Sequence, residues 1–328
     1  MGNNNILTVS NLKKYFYSSK GILKVLNGVN LSIKKGELFG LIGESGSGKS
    51  TLAYILMGIY QPTSGKIIFQ NQEIEHDLKK RSKSVKKNIQ IVFQDPGSSL
   101  NPSRSIFQSI ELPLMIYSKI KKRKDRINKV KKLLKLVDLQ EDYIYKYPDM
   151  LSGGEKQRIS ILRVLAVEPS FIILDEPTSS LDMSVQAKII SILMRLKKDF
   201  DLSYLFITHN LVLMRNIASS IAIIYLGKIC EIAPCSELFR NPIHPYTKML
   251  LSSIPVLSDE EEKLKPKKKK SIIEVPSLLN IPSGCSFYTR CPEKIDICHE
   301  SDPNMLEVIK GHFVRCHLYN KIESQLKI

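Results

Sequence analysis

The stretch GESGSGKS, residues 43–50, decides the fold. It fits G-x-x-x-x-G-K-[ST] and lies between an apolar run, ELFGLI (37–42), and an apolar-periodic segment, TLAYILMGI (51–59). That is the strand–loop–helix context the pattern requires. Its glycines let backbone N–H groups turn inward around phosphate oxygens, and the N-terminus of the following helix adds partial positive charge. Gly43, Ser45, Gly46 and Gly48 are therefore candidates to line a polyphosphate, with Lys49 reaching the β- and γ-phosphates. The Ser50 hydroxyl is suited to bind Mg²⁺, and Thr51 to reach a neighbouring phosphate.

A complement lies farther along. In FIILDEP (171–177), four apolar residues deliver Asp175 and Glu176 to the end of a buried strand. Asp175 is suited to hold Mg²⁺ through water, and Glu176 to orient and polarise an attacking water as general base. Phosphate loop and acidic pair together indicate a nucleotide hydrolase.

Outward from these motifs the chain alternates strand and helix. Residues 5–35 read as a small antiparallel layer, and GKIIFQNQEI (65–74) and NIQIVFQDP (88–96) as strands. Residues 98–148 become helical, with Ile127, Val130, Leu134 and Val137 on one apolar face opposite a lysine face. SFIILDEP (170–177) and LSYLFITHN (202–210) read as parallel strands buried on both faces, joined by a crossover helix over 184–200. SSIAIIYLGKI (219–229) reads as one buried strand. The expected class is α/β, with an antiparallel β-subdomain and an inserted helical subdomain at about 98–158. The core spans 1–235; a charged linker at 258–270 leads into a small Cys-rich extension within 236–328.

Composition narrows the function classes. The 328 residues are 43% hydrophobic and carry a formal charge of +17, enough for one large core plus an extension. The basic runs at 79–87, 119–132 and 263–270 contain no aromatics, and there is no Trp. Stacking platforms for nucleic acid are therefore not expected. No uncharged apolar run approaches the roughly 20 residues of a spanning helix. The start of the chain lacks a secretory pattern, so the expected setting is the cytosol.

LSGGEKQR (151–158) resembles the signature segment of the ATP-binding cassette family. The resemblance implies that Ser152, Gly153 and Gly154 grip the phosphate of an ATP held by an opposite subunit, in a head-to-tail dimer. Gln94 matches the family's glutamine loop, which senses Mg²⁺ and contacts the membrane partner. Asp182 in SSLD (179–182) matches the loop facing the other subunit, and His209 the switch histidine on the γ-phosphate. Phe16, ahead of Tyr15 by family spacing, is the expected stacking partner of adenine.

FQDPGSSLNP (93–102), NPIHPYTKMLLSSIP (241–255) and EVPSLLNIPSGCSFYTRCP (274–292) resemble the oligopeptide and dipeptide importers of that family, closer to their second ATPase subunit. Related nickel and antimicrobial-peptide importers share much of the pattern. The resemblance implies a second, related ATPase chain as dimer partner, two transmembrane permease subunits and an extracytoplasmic binding protein. It places this chain at the cytoplasmic face of the cell membrane. A soluble cassette protein acting on ribosomes or DNA is the rival class.

Four of the six cysteines, Cys285, Cys291, Cys298 and Cys316, crowd this tail, separated by five, six and seventeen residues. No gap matches the C-x₂-C pairs of zinc knuckles. Four thiolates can hold either Zn²⁺ or an iron–sulfur cluster, and ordinary free thiols remain the third reading. The resemblance favours a four-iron four-sulfur (4Fe-4S) cluster. His299, His312 and His317 read as surface residues, Cys230 and Cys235 as packing residues, and His244 as a satisfied residue at a helix N-terminus.

Overall fold

The computed structural model describes residues 4–254, 278–279 and 281–320. The charged linker expected at 258–270 lies outside these residues.

The chain opens with a long hairpin, β1 (Asn5–Ser18) and β2 (Gly21–Lys34), followed by β3 (Leu38–Ile42) and α1 (Lys49–Met57). Strands β4 (Ser64–Phe69) and β5 (Gln72–Glu73) come next, then α2 (Lys83–Asn88) and β6 (Ile89–Val92). A helical block follows: α3 (Pro96–Ser99), α4 (Ile106–Tyr117), α5 (Arg123–Leu136) and α6 (Gly153–Leu165). The core resumes with β7 (Phe171–Asp175), α7 (Met183–Asp199), β8 (Ser203–Thr208) and α8 (Leu211–Ile217). It continues through β9 (Ser220–Tyr225), β10 (Lys228–Pro234), α9 (Cys235–Arg240) and α10 (Pro245–Ser252). Beyond them stand a short helix (Ile297–Glu300) and a hairpin of β11 (Met305–Ile309) and β12 (His312–Arg315).

Two sheets result. An antiparallel sheet runs β2-β1-β4-β5, and a mixed sheet runs β11-β12-β10-β9-β3-β8-β7-β6. In the mixed sheet β3, β7 and β8 are buried along their whole length, because helices or the second sheet cover both faces. Alternation along each strand divides the core. Ile173, Leu205 and Ile207 face the side packed by α1 and the antiparallel sheet. Ile172, Leu174, Tyr204 and Phe206 face the side shared with the helical block and the C-terminal segment. This arrangement delivers the loop after β3 and the ends of β7 and β8 to one edge of the sheet.

The helical block holds through its apolar stripes. Val130, Leu134 and Val137 are buried with Ile127 packed against them, as the spacing predicts. Arg126 of α5 donates to Glu111 of α4 at 2.7 Å, both side chains only 12% exposed.

SSIAIIYLGKI is not a single strand: β9 turns back into β10 at Leu226-Gly227, where φ is 43° and 76°. Two consecutive left-handed residues suit a tight hairpin, and a Cβ at Gly227 would stand 2.4 Å from the Val25 carbonyl.

Segments beyond residue 235 pack onto the core. β12 pairs with β10. Beneath that contact Glu231, fully buried, accepts bonds from the Ile243 and His244 amides at 2.8 and 2.9 Å and pairs with His312 at 2.7 Å. His312 is fully buried and His317 only 8% exposed, correcting their reading as surface residues; His299 is exposed. The burial follows from a carboxylate that has no water and requires donors.

Candidate ATP site and cysteine cavity

The phosphate loop closes tightly before α1. Gly48 adopts φ 101° and caps the helix, and a Cβ at Gly43 would stand 2.2 Å from the Ile224 carbonyl. Lys49, 6% exposed, donates to the carbonyls of Gly43 and Glu44 at 2.8 and 2.9 Å. Burial lowers its pKa, while Glu176, Asp175 and Glu44 pull it back up. Arg81 lies across the far end of α1 and donates to the Ile55 and Leu56 carbonyls, so a cation meets the negative end of the helix.

The acidic strand ends beside this loop. Ser50 Oγ donates to Asp175 Oδ1 at 3.2 Å. Burial raises the Asp175 pKa, opposed by that hydrogen bond. Glu176 sits at φ 47° with its N–H bonded to the Ile207 carbonyl at 3.0 Å. A non-glycine residue in this left-handed region is strained and held by its surroundings. Its Oε2 accepts from Gln94 Nε2 at 3.2 Å, and its Oε1 lies 3.4 Å from His209 Nδ1. Ser50, Gln94, Asp175, Glu176 and His209 thus meet around one loop from four separate strand ends.

The remaining stations lie elsewhere in the chain. Ser152 caps α6 in a reciprocal box with Glu155. Gly154 is required there because a Cβ would come within 2.5 Å of Val185 Cγ1, and one at Gly153 would meet Leu181 at 3.3 Å. Asp182 caps α7, accepting from the Val185 amide at 2.9 Å. Among the described residues no hydrogen bond or ion pair links Ser152–Gly154 or Asp182 to residues 43–51. Phe16 on β1 is half-buried, edge-on to Tyr60 at 5.8 Å, with the Lys14 ammonium 4.6 Å from its ring. The Tyr15 hydroxyl is instead committed to Asn27.

Cys285, Cys291, Cys298 and Cys316 line one small cavity with Phe287 and His317. Burial pushes the thiol pKa values up, to about 11 for Cys291 and about 12 for Cys316, and the neighbouring cysteines add to the rise. Among the described residues no three His, Cys, Asp or Glu side chains converge as a set able to hold a metal ion. Cys230 and Cys235 are buried, as expected of packing residues. The His244 ring caps α10, accepting from the Tyr246 amide at 3.0 Å.

Sequence reading missed three residues at the site. Glu44 occupies a variable position of the loop pattern, while Tyr246 and Arg290 belong to distant segments; both contact Glu44.

A phosphate loop, a strand end carrying buried Asp175 and half-buried Glu176, and a bonded Gln–Glu–His set on this sheet define an ATP-binding cassette ATPase, for which ATP and Mg²⁺ are the expected nucleotide and ion. The ABC transporter family matches residues 26–179, and the oligopeptide/dipeptide transporter C-terminal region matches residues 230–298. The chain belongs to the ABC transporter ATPases that carry this C-terminal region. It is 43% identical over 326 residues to the putative oligopeptide transport ATP-binding protein YkfD of Bacillus subtilis, covering 98% of each chain. It is 37% identical to the di/tripeptide transport ATP-binding protein DppF of Pseudomonas aeruginosa, over 95% of this chain and 97% of the relative. The cassette MJ0796, solved as a dimer bound to ADP and Pi, superposes with a TM-score of 0.62 at 28% identity, over 70% of this chain and 98% of that one. CbiO1 of Clostridium perfringens gives 0.64 at 30% identity, over 73% and 92%. Among the described residues no helix is long and apolar enough to cross a membrane.

Proposed function

We propose that this chain is the ATP-hydrolysing subunit of an importer of oligopeptides or dipeptides, working at the cytoplasmic face of the membrane. The observation that carries the reading is the joining of Ser50, Asp175, Glu176, Gln94 and His209 at one phosphate loop, in a chain that carries the peptide-transporter region at 230–298. Phe16 stacks on adenine, and the 43–48 amides cradle the phosphates. Lys49 exchanges its two carbonyl partners for β- and γ-phosphate oxygens. Ser50, Asp175 and Gln94 would hold Mg²⁺, which when bound offsets charge on the β- and γ-phosphates. Glu176 orients water in line with the γ-phosphorus and takes its proton as the terminal P–O bond breaks, while His209 contacts the γ-phosphate.

Ser152 and Asp182 cap helices of their own, and in a head-to-tail dimer Ser152–Gly154 and Asp182 would complete the partner's site. A related second ATPase, two permease subunits and an external binding protein make up the proposed assembly, with the ATPase domain at 1–235 and the extension at 236–328. The test is peptide-stimulated ATP hydrolysis in proteoliposomes containing that assembly. Loss of stimulated turnover with Glu176→Gln in this chain supports the reading. Stimulation by nickel salts or by antimicrobial peptides alone sinks the peptide assignment, and salt-sensitive RNA or DNA binding without membrane association sinks the transporter.

For the tail we propose a four-iron four-sulfur cluster. The fit rests on the donor set: four thiols face one cavity, without converging as a single-ion site. Cluster ligands stand farther apart than those of one Zn²⁺, and all four can be cysteines. When bound, such a group would tie together the turns that carry Cys285 and Cys291, the short helix that carries Cys298 and the end of β12 at Cys316. Anaerobic purification with iron, sulfide and zinc analysis decides it. About four irons and four sulfides per chain, lost in Cys291→Ser, support the cluster; one zinc or no metal refutes it.

A further inference from the structure

We infer that Arg290 is a positioning residue for ATP binding, through which the cysteine-rich tail clamps the phosphate loop. Its guanidinium donates to Glu44 with both arms, Nη1 to Oε2 at 2.8 Å and Nη2 to Oε1 at 3.0 Å. A forked pair of this kind fixes direction as well as distance. Arg290 is 8% exposed along its side chain and Glu44 28%, so the pair is largely shielded from water. The guanidinium also lies 5.6 and 5.9 Å from the Tyr225 and Phe287 rings, which hold its plane.

Glu44 is gripped twice from beyond residue 235. Its carboxylate is held by Arg290, and its N–H donates to the Tyr246 hydroxyl of α10 at 3.2 Å. Its carbonyl accepts from Lys49 and, at 3.2 Å, from the Ser47 amide. Lys49 must leave that carbonyl to reach phosphate, and the Ser45–Gly48 amides can face inward only while the chain at Gly43–Glu44 keeps its course. Arg290 governs that course without touching the nucleotide.

The clamp continues directly into the cysteine cavity. Arg290 precedes Cys291, and its amide bonds to the Phe287 carbonyl at 3.0 Å. Phe287 is 2% exposed, lines the same cavity, and lies 5.3 Å from both the Tyr225 and Tyr246 rings. Closure of the four-cysteine segment therefore sets where the guanidinium stands. The inference rests on residues 43–51 being the ATP loop, and not on which group the cysteines hold.

The experiment measures ATP affinity by equilibrium binding, and KM and kcat for ATP, in the full-length chain. Arg290→Ala is expected to raise Kd and KM about five- to twentyfold with kcat changed less than about twofold, the range of a typical coupling between sites. Arg290→Lys should recover only part, since an ammonium cannot form the fork. Glu44→Gln, nearly isosteric, serves if Arg290→Ala does not fold, and the double variant should be no worse than either single one. Cys291→Ser should weaken ATP binding in the wild-type background and not further in Arg290→Ala. A lower melting temperature with unchanged KM, or additive effects of Arg290 and Cys291, overturns the inference. Undiminished ATP binding by Lys49→Ala would instead overturn the ATP-loop reading beneath it.

Discussion

The Gln94 amide donates to Glu176 Oε2 at 3.2 Å, joining residues 82 positions apart at the tips of two adjacent strands. The bond fixes the carboxylate one residue beyond Asp175, which accepts from Ser50 at the end of the phosphate loop. Glu176→Gln keeps size and loses basicity. It is expected to bind ATP normally while turnover falls by about 10² to 10⁴, the usual contribution of a positioned base. Single-turnover hydrolysis with labelled ATP checks this, and near-normal cleavage would remove Glu176 from the role.

His209 allows a cleaner separation of chemistry from folding. Its side chain is 63% exposed, and among the described residues its one hydrogen-bonding partner is Glu176. His209→Ala should cut turnover by about a hundredfold and leave the melting temperature within a degree or two. A large loss of thermal stability would show that it acts as a packing residue instead.

Glu155 carries a pH prediction. The Tyr143 hydroxyl, with the Ser152 amide and hydroxyl, holds its pKa down to about 2 against burial. A carboxylate depressed on folding stabilises fully above its unfolded pKa, 4.5 here, and loses that contribution as pH falls toward 2. Glu155→Gln should cost about 1–2 kcal/mol at pH 7, after allowance for solvent screening. The gap from wild type should close between those two pH values, as read by denaturant melts across that range. A gap independent of pH would mean the carboxylate charge is not what stabilises the helix start.

Gly154→Ala tests the contact between α6 and α7. The added carbon would meet Val185 Cγ1 at 2.5 Å, and a β-branched neighbour has little rotamer freedom to yield. A loss of about 1–3 kcal/mol is expected, with ATP-driven dimer formation weakened, measurable by size exclusion in a Glu176→Gln background. Unchanged stability would mean that α7 shifts freely.

Glu231→Ala removes the acceptor for two buried amides and His312. Orphaned buried donors cost about 1–3 kcal/mol each, so the C-terminal hairpin should detach first. Hydrogen exchange would show loss of protection in β11 and β12 ahead of the β3–β8 core. Simultaneous loss across the whole sheet would contradict a local role.

Much of this protein was legible in order along the chain. GESGSGKS, FIILDEP and LSGGEKQR each place their chemistry within one loop or one helix end. The backbone geometry such a segment needs is therefore written in its own glycines, caps and apolar neighbours. Buried strands such as β7 and β8 announced themselves as unbroken apolar runs because both of their faces are covered. What only the tertiary structure decided are contacts between segments with no local mark. The β9–β10 turn escaped notice because Leu226 is an uncommon residue at positive φ. His312 gave no sign of burial because its partner Glu231 lies 81 positions away. Glu44 and Arg290 stand 246 positions apart, and nothing local marks either as the other's partner. A charge's partner is set by where the sheet brings two distant loops together, and spacing along the chain carries no record of that distance.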